Sequence, residues 1–114
     1  MCFSYSVNIN LQNSQTQEIL VQAQLELNPS HIPNPGYFLN GFNHPILPIF
    51  TQSNQSELAQ WGLIPSWAKE SQISDLQKLS LNARIETANE KPMFKNSWIQ
   101  NPCLIPATGF FEWK

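Results

Sequence analysis

Cysteine at position 2 carries the most chemical potential in this chain. Initiator methionine is usually removed ahead of a small second residue, and its removal leaves an α-amine and a thiol on adjacent carbons. Such a 1,2-aminothiol condenses with aldehydes: the amine attacks the carbonyl to give a Schiff base, and the thiol then closes a five-membered thiazolidine. The same pair suits an N-terminal cysteine hydrolase, in which the thiolate attacks an amide and the amine serves as base. Position 2 alone decides between neither of these nor an accident of the start codon.

Glu112 sits among Phe110, Phe111 and Trp113, and apolar surroundings favour the neutral form of a carboxyl group, as a general acid requires. Strand alternation offers the plainer alternative, with Phe111 and Trp113 on one face and Glu112 turned outward. Asn82 and Arg84 are two residues apart, so an extended segment would set both on one side, where an amide orients a polar substrate and a guanidinium holds phosphate. A surface pair between Arg84 and Glu86 is the competing explanation for the chain's only arginine. Trp61, Trp67 and Trp98 are either core residues or stacking platforms for single-stranded bases. Trp67, after Pro65 and Ser66 in an expected loop, is the best placed for stacking. His31 and His44 have no partners at metal-ligand spacing, and Cys103 reads as a small core hydrophobe inside Pro102-Cys103-Leu104-Ile105.

These residues need elements to hold them. Residues 3 to 11 alternate apolar and polar, the signature of a half-buried strand. Ser14 with Gln17 fits a capping box, and Ile19, Ala23 and Leu27 share a helical face. Ile19, Val21, Ala23, Leu25 and Leu27 also alternate, so a strand competes, although the Gln, Glu, Ala and Leu content favours helix. Five prolines and two glycines between Asn28 and Pro48 predict a loop-rich stretch. Short strands are expected over 47–51 and 58–64, helical turns over 74–81 and 91–99, and two strand-like runs over 103–114. The pattern predicts one α+β domain over residues 1–114 with a mainly antiparallel sheet. The final run, Phe110 to Lys114, has no closing turn or cap, which predicts that more sequence normally follows.

With 114 residues there is room for one domain at most. Only 12% of residues are charged, and solubility rests on 12 Asn and 11 Gln. The net charge of −2 excludes the overall basic footprint of a general nucleic-acid binder. All six positive side chains lie at or after Lys69, so an anion must be met by the second half. No apolar run reaches membrane-helix length and no signal peptide is evident, which predicts a cytoplasmic protein.

Together the segments resemble the SOS response-associated peptidase (SRAP) family. The resemblance is carried, in order, by Met1-Cys2, the Trp61 to Trp67 run WGLIPSW, the Asn82 to Thr87 run NARIET, Met93-Phe94-Lys95, and the Cys103 to Trp113 run CLIPATGFFEW. It implies a compact α+β domain with a barrel-like β core of about twice this length, of which this chain is the N-terminal portion. It further implies covalent capture of abasic sites in single-stranded DNA through a Cys2 thiazolidine, as part of a DNA damage response, with a peptidase activity inferred from the same residues. By motif position, Asn82 would orient the Cys2 end, Glu112 would act as acid and base in Schiff-base formation, and Arg84 would hold phosphate beside the lesion. Trp67 would line the DNA groove, with Lys95 also on the DNA side. Neither metal nor organic cofactor is implied, the partner is abasic single-stranded DNA and not a membrane, and oligomeric state is left open. Three departures stand out. Phe3 and Ser4 replace the family's usual Gly-Arg, Pro92 replaces an arginine, and the family's catalytic histidine belongs to a C-terminal half outside these 114 residues. Fewer phosphate contacts imply a weaker dependence on salt. The competing expectations are an N-terminal cysteine hydrolase acting on amides or peptides, with Asn82 as an oxyanion contact, and an inactive or non-catalytic relative that binds DNA weakly through Arg84, Lys91 and Lys95.

Overall fold

The computed structural model describes residues 3 to 112, so Met1, Cys2, Trp113 and Lys114 lie outside the described residues. Five strands and three helices follow in the order β1 (Ser4–Val7), α1 (Ser14–Gln22), β2 (Gly36–Asn40), β3 (Ile46–Phe50), β4 (Ser56–Gln60), α2 (Ile73–Leu79), α3 (Lys95–Gln100) and β5 (Gly109–Phe110). Short 3₁₀ turns occupy Pro29–His31, Gly41–Asn43 and Glu70–Gln72. The architecture is α+β with antiparallel pairing in both sheets, as expected. One sheet has the order β2-β1-β5 and the other is the β3-β4 hairpin; among the described residues they do not close into a barrel.

β1 is central in its sheet and shorter than its alternating pattern. Asn8 gives its N–H to the Thr108 hydroxyl at 3.1 Å, and Asn10 accepts from Gln12 N–H at 2.9 Å, so side chains take over where the ladder stops. Residues 14–22 are helical, which settles the ambiguity between helix and strand. The cap, however, is Asn13, whose Oδ1 accepts from the N–H groups of Gln15 and Thr16, while the Gln17 amide donates instead to Leu11 O. The helix stops before Leu27, so the expected shared face is not built; α1 buries no residue and Leu27 is buried beyond a turn in which Gln24 has φ 55°.

The β3-β4 hairpin pairs from Ile46↔Gln60 to Phe50↔Ser56. Its strands start slightly earlier than expected, and β4 ends at Gln60 because Gly62 turns the chain at φ +114°. The core is small: Tyr5, Val7 and Leu47 cluster, with Ile9, Leu39 and Trp61 packed against them. Side chains from both sheets thus meet at Trp61. Of the two strand-like runs expected after Cys103, only β5 and a single bridge from Leu104 to Phe50 form. Cys103 is exposed, contrary to its expected core placement, because the bridge holds only one residue and leaves Leu104 and Ile105 exposed as well.

Candidate functional site

Trp61 ties the start of the described chain to the Asn82 segment. Its N–H donates to Pro45 O at 2.9 Å, which closes the hairpin, and its indole Nε1–H donates to Leu81 O at 3.1 Å. The ring packs on Tyr5, with centroids 5.2 Å apart, and lies over Gly41. A Cβ at Gly41 would sit 3.0 Å from the indole Cε2 and 3.3 Å from Phe3 O, close enough that the indole would have to give by a few tenths of an ångström. Gly41 N–H in turn donates to Phe3 O at 2.8 Å, and the Phe3 and Phe42 rings stack with centroids 5.3 Å apart. Trp61 thus bonds Leu81 directly and packs over Gly41, the residue whose N–H holds Phe3 O.

The opposite wall of this corner is equally determined. Gly62 adopts a conformation that L side chains rarely take, and a Cβ there would collide with Gln77 Cγ. His44, at φ 47°, meets Trp61 O through Nδ1 at 2.9 Å. Ser80 donates to Leu63 O at 2.7 Å, anchoring the end of α2 against the chain after Gly62. Asn82 follows immediately. It is half-buried, and its Nδ2 is buried with no hydrogen-bond partner. A buried amide donor without an acceptor costs about 1–3 kcal/mol, so this one stands as an anomaly that a ligand or a further protein group would relieve.

Glu112 is brought to the N-terminal end of β1 by β5. β5 pairs antiparallel with β1 through Tyr5↔Phe110 and Ser6↔Gly109, and Phe111 N–H donates to Ser4 O at 3.2 Å. Thr108 strengthens the approach by donating to Ser6 O from both its N–H and its hydroxyl. The pairing thus runs from Thr108 toward the N-terminal end of β1, and Glu112, exposed, comes next after Phe111. Cys2, the expected nucleophile, lies outside the described residues.

The expected DNA contacts divide into two groups. Trp67 is 49% exposed and its Nε1–H donates to Pro92 O at 3.3 Å. It borders a cleft of about 350 Å³ whose other side is formed by Met93, Asn96, Ser97 and Gln100. Lys95 is exposed at the first residue of α3, directly before Asn96. Arg84 is exposed and does not border this cleft. Residues 82–84 carry no regular element, and the chain bends into turns after them, where Arg84 O accepts from Thr87 and Ala88 N–H; Asn82 is half-buried and Arg84 exposed. Arg84 and Glu86 are both exposed, and among the described residues no ion pair joins them.

Trp61 is the packed tryptophan, and Trp98 is 44% exposed on a separate apolar hollow beside Cys103. Sequence reasoning missed three participants: Gly41, Gly62 and Gln77. Gln77 is buried, with Nε2 also lacking a partner, and nothing in its spacing marks it apart from other α2 residues. Among the described residues no group of three His, Cys, Asp or Glu side chains is arranged to hold a metal ion. No helix among them is long and apolar enough to cross a membrane.

The sequence matches the family model described as SOS response associated peptidase (SRAP) over residues 1–114. It is similar to the abasic site processing protein YoqW of Bacillus subtilis, 44% identical over 71 residues that make up 60% of this chain and 30% of that protein. A comparable match is the abasic site processing protein HMCES of Rattus norvegicus, 45% identical over 56 residues covering 48% of this chain and 16% of the relative. A solved protein from Bacteroides thetaiotaomicron superposes over 99% of this chain and 49% of its own, with 30% identity and a TM-score of 0.82. One from Bordetella bronchiseptica, 18% identical, shares the fold over 93% of this chain and 48% of its own with a TM-score of 0.68. The chain spans about half the length of the solved relatives it matches. With its fold and the whole length of its sequence in agreement, this chain belongs to the SRAP family.

Proposed function

We propose that this protein processes abasic sites in single-stranded DNA, and that it does so by covalent capture through Cys2. Once Met1 is removed, the Cys2 amine adds to the aldehyde of the ring-opened abasic sugar. Loss of water gives a Schiff base, and the thiol then adds to the imine carbon, its proton passing to the nitrogen, to close a thiazolidine. Asn82 orients the Cys2 end through its side-chain amide. Glu112 donates a proton to the departing hydroxyl of the carbinolamine and takes one from the amine. Arg84 binds a phosphate next to the lesion, and Trp67 with Lys95 engages a flanking stretch of the strand.

The observation that best supports this reading is the Asn82 amide, buried without an acceptor next to Leu81, whose carbonyl accepts from the Trp61 indole over Gly41, itself bonded to Phe3 O. A purely structural asparagine at that corner would be expected to satisfy its donor within the protein. The names of the relatives, abasic site processing proteins, point the same way. Incubation of the Cys2-terminated chain with a short single-stranded oligonucleotide bearing one abasic site tests the reading by intact mass. An adduct that survives denaturant and is missing from Cys2→Ala is the expected result. An adduct of equal yield from a folded Cys2→Ala chain would rule the mechanism out, and turnover of a small amide with no DNA adduct would favour the hydrolase chemistry instead.

A further inference from the structure

The cleft beside Trp67 carries, on its far wall, polar side chains that the capture chemistry does not use. One wall is the chain from Ile64 to Trp67; the other is formed by Met93 and by Asn96, Ser97 and Gln100 of α3. The Trp67 indole Nε1–H donates to Pro92 O at 3.3 Å, so the ring is held by its edge to the opposite wall. Trp67 nevertheless keeps 49% of its surface exposed. An exposed indole pinned at its edge is a platform for stacking, and every nucleobase has a face to stack. At about 350 Å³ the cleft lies at the lower end of the range of about 300–1,000 Å³ for small-molecule sites, which suits a single base.

The surrounding charge suits a polyanion. Lys69 stands two residues after Trp67, Lys91 directly before Pro92 and Lys95 directly before Asn96, and all three are exposed. Glu70 and Glu90 are each one residue farther from the walls than Lys69 and Lys91, so the rim stays net positive in a chain whose total is −2. The far wall adds a means of telling bases apart. Asn96 and Gln100 are one helical turn apart on α3, are both exposed and both line the cleft. A carboxamide presents a donor and an acceptor side by side. Adenine is the DNA base that offers a donor beside an acceptor on two edges, N6–H with N1 and N6–H with N7, and Asn or Gln pairs with it bidentately. Guanine shows two acceptors, O6 and N7, on its second edge, and each pyrimidine has only one matching edge.

We propose that this cleft is a base-reading subsite: a nucleobase near the lesion stacks on Trp67 while Asn96 and Gln100 engage its edges, which makes adenine the preferred neighbour. The proposal rests on the reading of the chain as a binder of abasic single-stranded DNA, and it adds a sequence preference that the capture chemistry does not contain. Trp67 supplies affinity for any base, and the two amides supply the choice among bases.

The binding test uses oligonucleotides without an abasic site, so it is independent of covalent capture. Anisotropy titrations of the chain with short labelled homopolymers of dA, dC and dT, at one salt concentration, should show dA bound about fivefold or more tighter than the other two, the lower end for one bidentate amide–base contact. Asn96→Leu and Gln100→Met, near-isosteric changes at exposed positions, should each shrink that ratio by about twofold or more, whereas Gln22→Met on α1 should leave it intact. A ratio of affinities does not depend on the fraction of chain that is folded, so misfolding cannot imitate the loss. Trp67→Ala should weaken binding of all three by about fivefold or more and keep their order. With abasic oligonucleotides, a lesion flanked by adenines should form adduct several-fold faster than one flanked by thymines, and the two amide variants should remove the difference. Equal affinities for the three homopolymers, or a dA preference retained in the Asn96→Leu, Gln100→Met double variant, would overturn the proposal. So would binding that Trp67→Ala leaves unchanged, the result expected of a cleft that takes a peptide or a second copy of the chain. An amide-dependent dA preference without any adduct would sustain the subsite and sink capture through Cys2; adducts formed at equal rates beside adenine and thymine would do the reverse.

Discussion

The Trp61 corner and the face around β5 are built by opposite means. At the corner, each backbone approach is set by a close contact: Gly41 under the indole, Gly62 against Gln77, and the Leu81 carbonyl on the indole N–H. Around β5, by contrast, two ladder residues, the hydrogen bonds of Thr108 and Phe111 to β1 and one isolated bridge hold a stretch whose large apolar side chains are exposed. The first region positions Asn82; the second carries Glu112.

Substitutions that break the corner should have the largest effect. Gly62→Ala forces a Cβ into Gln77 at a φ of +114°, and such strain costs about 1–3 kcal/mol before any clash is counted. A fall in melting temperature of roughly 10 °C is expected, read by thermal unfolding. An unchanged melt would mean that the corner yields easily and does not fix Asn82. Trp61→Phe keeps most of the packing on Tyr5 but leaves the Leu81 carbonyl without its donor, for an expected loss of about 1–2 kcal/mol in denaturant titrations. Its capture rate should fall more than its stability suggests, since Asn82 is the next residue.

Arg84→Ala sharpens the same contrast without touching either scaffold. An exposed guanidinium that contacts one phosphate should, when removed, reduce the slope of log affinity for single-stranded DNA against log salt by about 0.7. An unaltered slope would assign Arg84 to the surface alone. The smallest effect is expected at Ile99, which is 80% exposed on α3: Ile99→Asp should change the stability of the isolated chain by less than about 0.5 kcal/mol. A larger loss would show that α3 belongs with the packed corner.

The same division explains what was legible in the sequence. Period-two alternation found β1, and residue composition favoured α1 correctly, because both are set by local pattern. Their limits were misjudged where polar side chains compete with the backbone, as Thr108 and Asn10 do after β1 and Asn13 does before α1. Cys103 was expected in the core because its neighbours are apolar, yet apolar runs mark only what is able to be buried, not what covers it. Asn82 and Arg84 were set on one face by assuming extended backbone; they differ in burial, and the turn accepted by Arg84 O follows both. The roles of Gly41, Gly62 and Gln77 depend on approaches between segments 15 to 40 residues apart, which no local pattern encodes.

The most direct test of the central claim is the intact mass of the Cys2-terminated chain after incubation with an abasic single-stranded oligonucleotide. A 1,2-aminothiol condenses with an aldehyde by its own chemistry, so the chain should gain the mass of the oligonucleotide less one water, and Glu112→Gln should slow that gain by about 10²-fold or more. A Cys2-terminated chain whose mass is unchanged, or an adduct that forms equally well on Cys2→Ala, would contradict capture through Cys2.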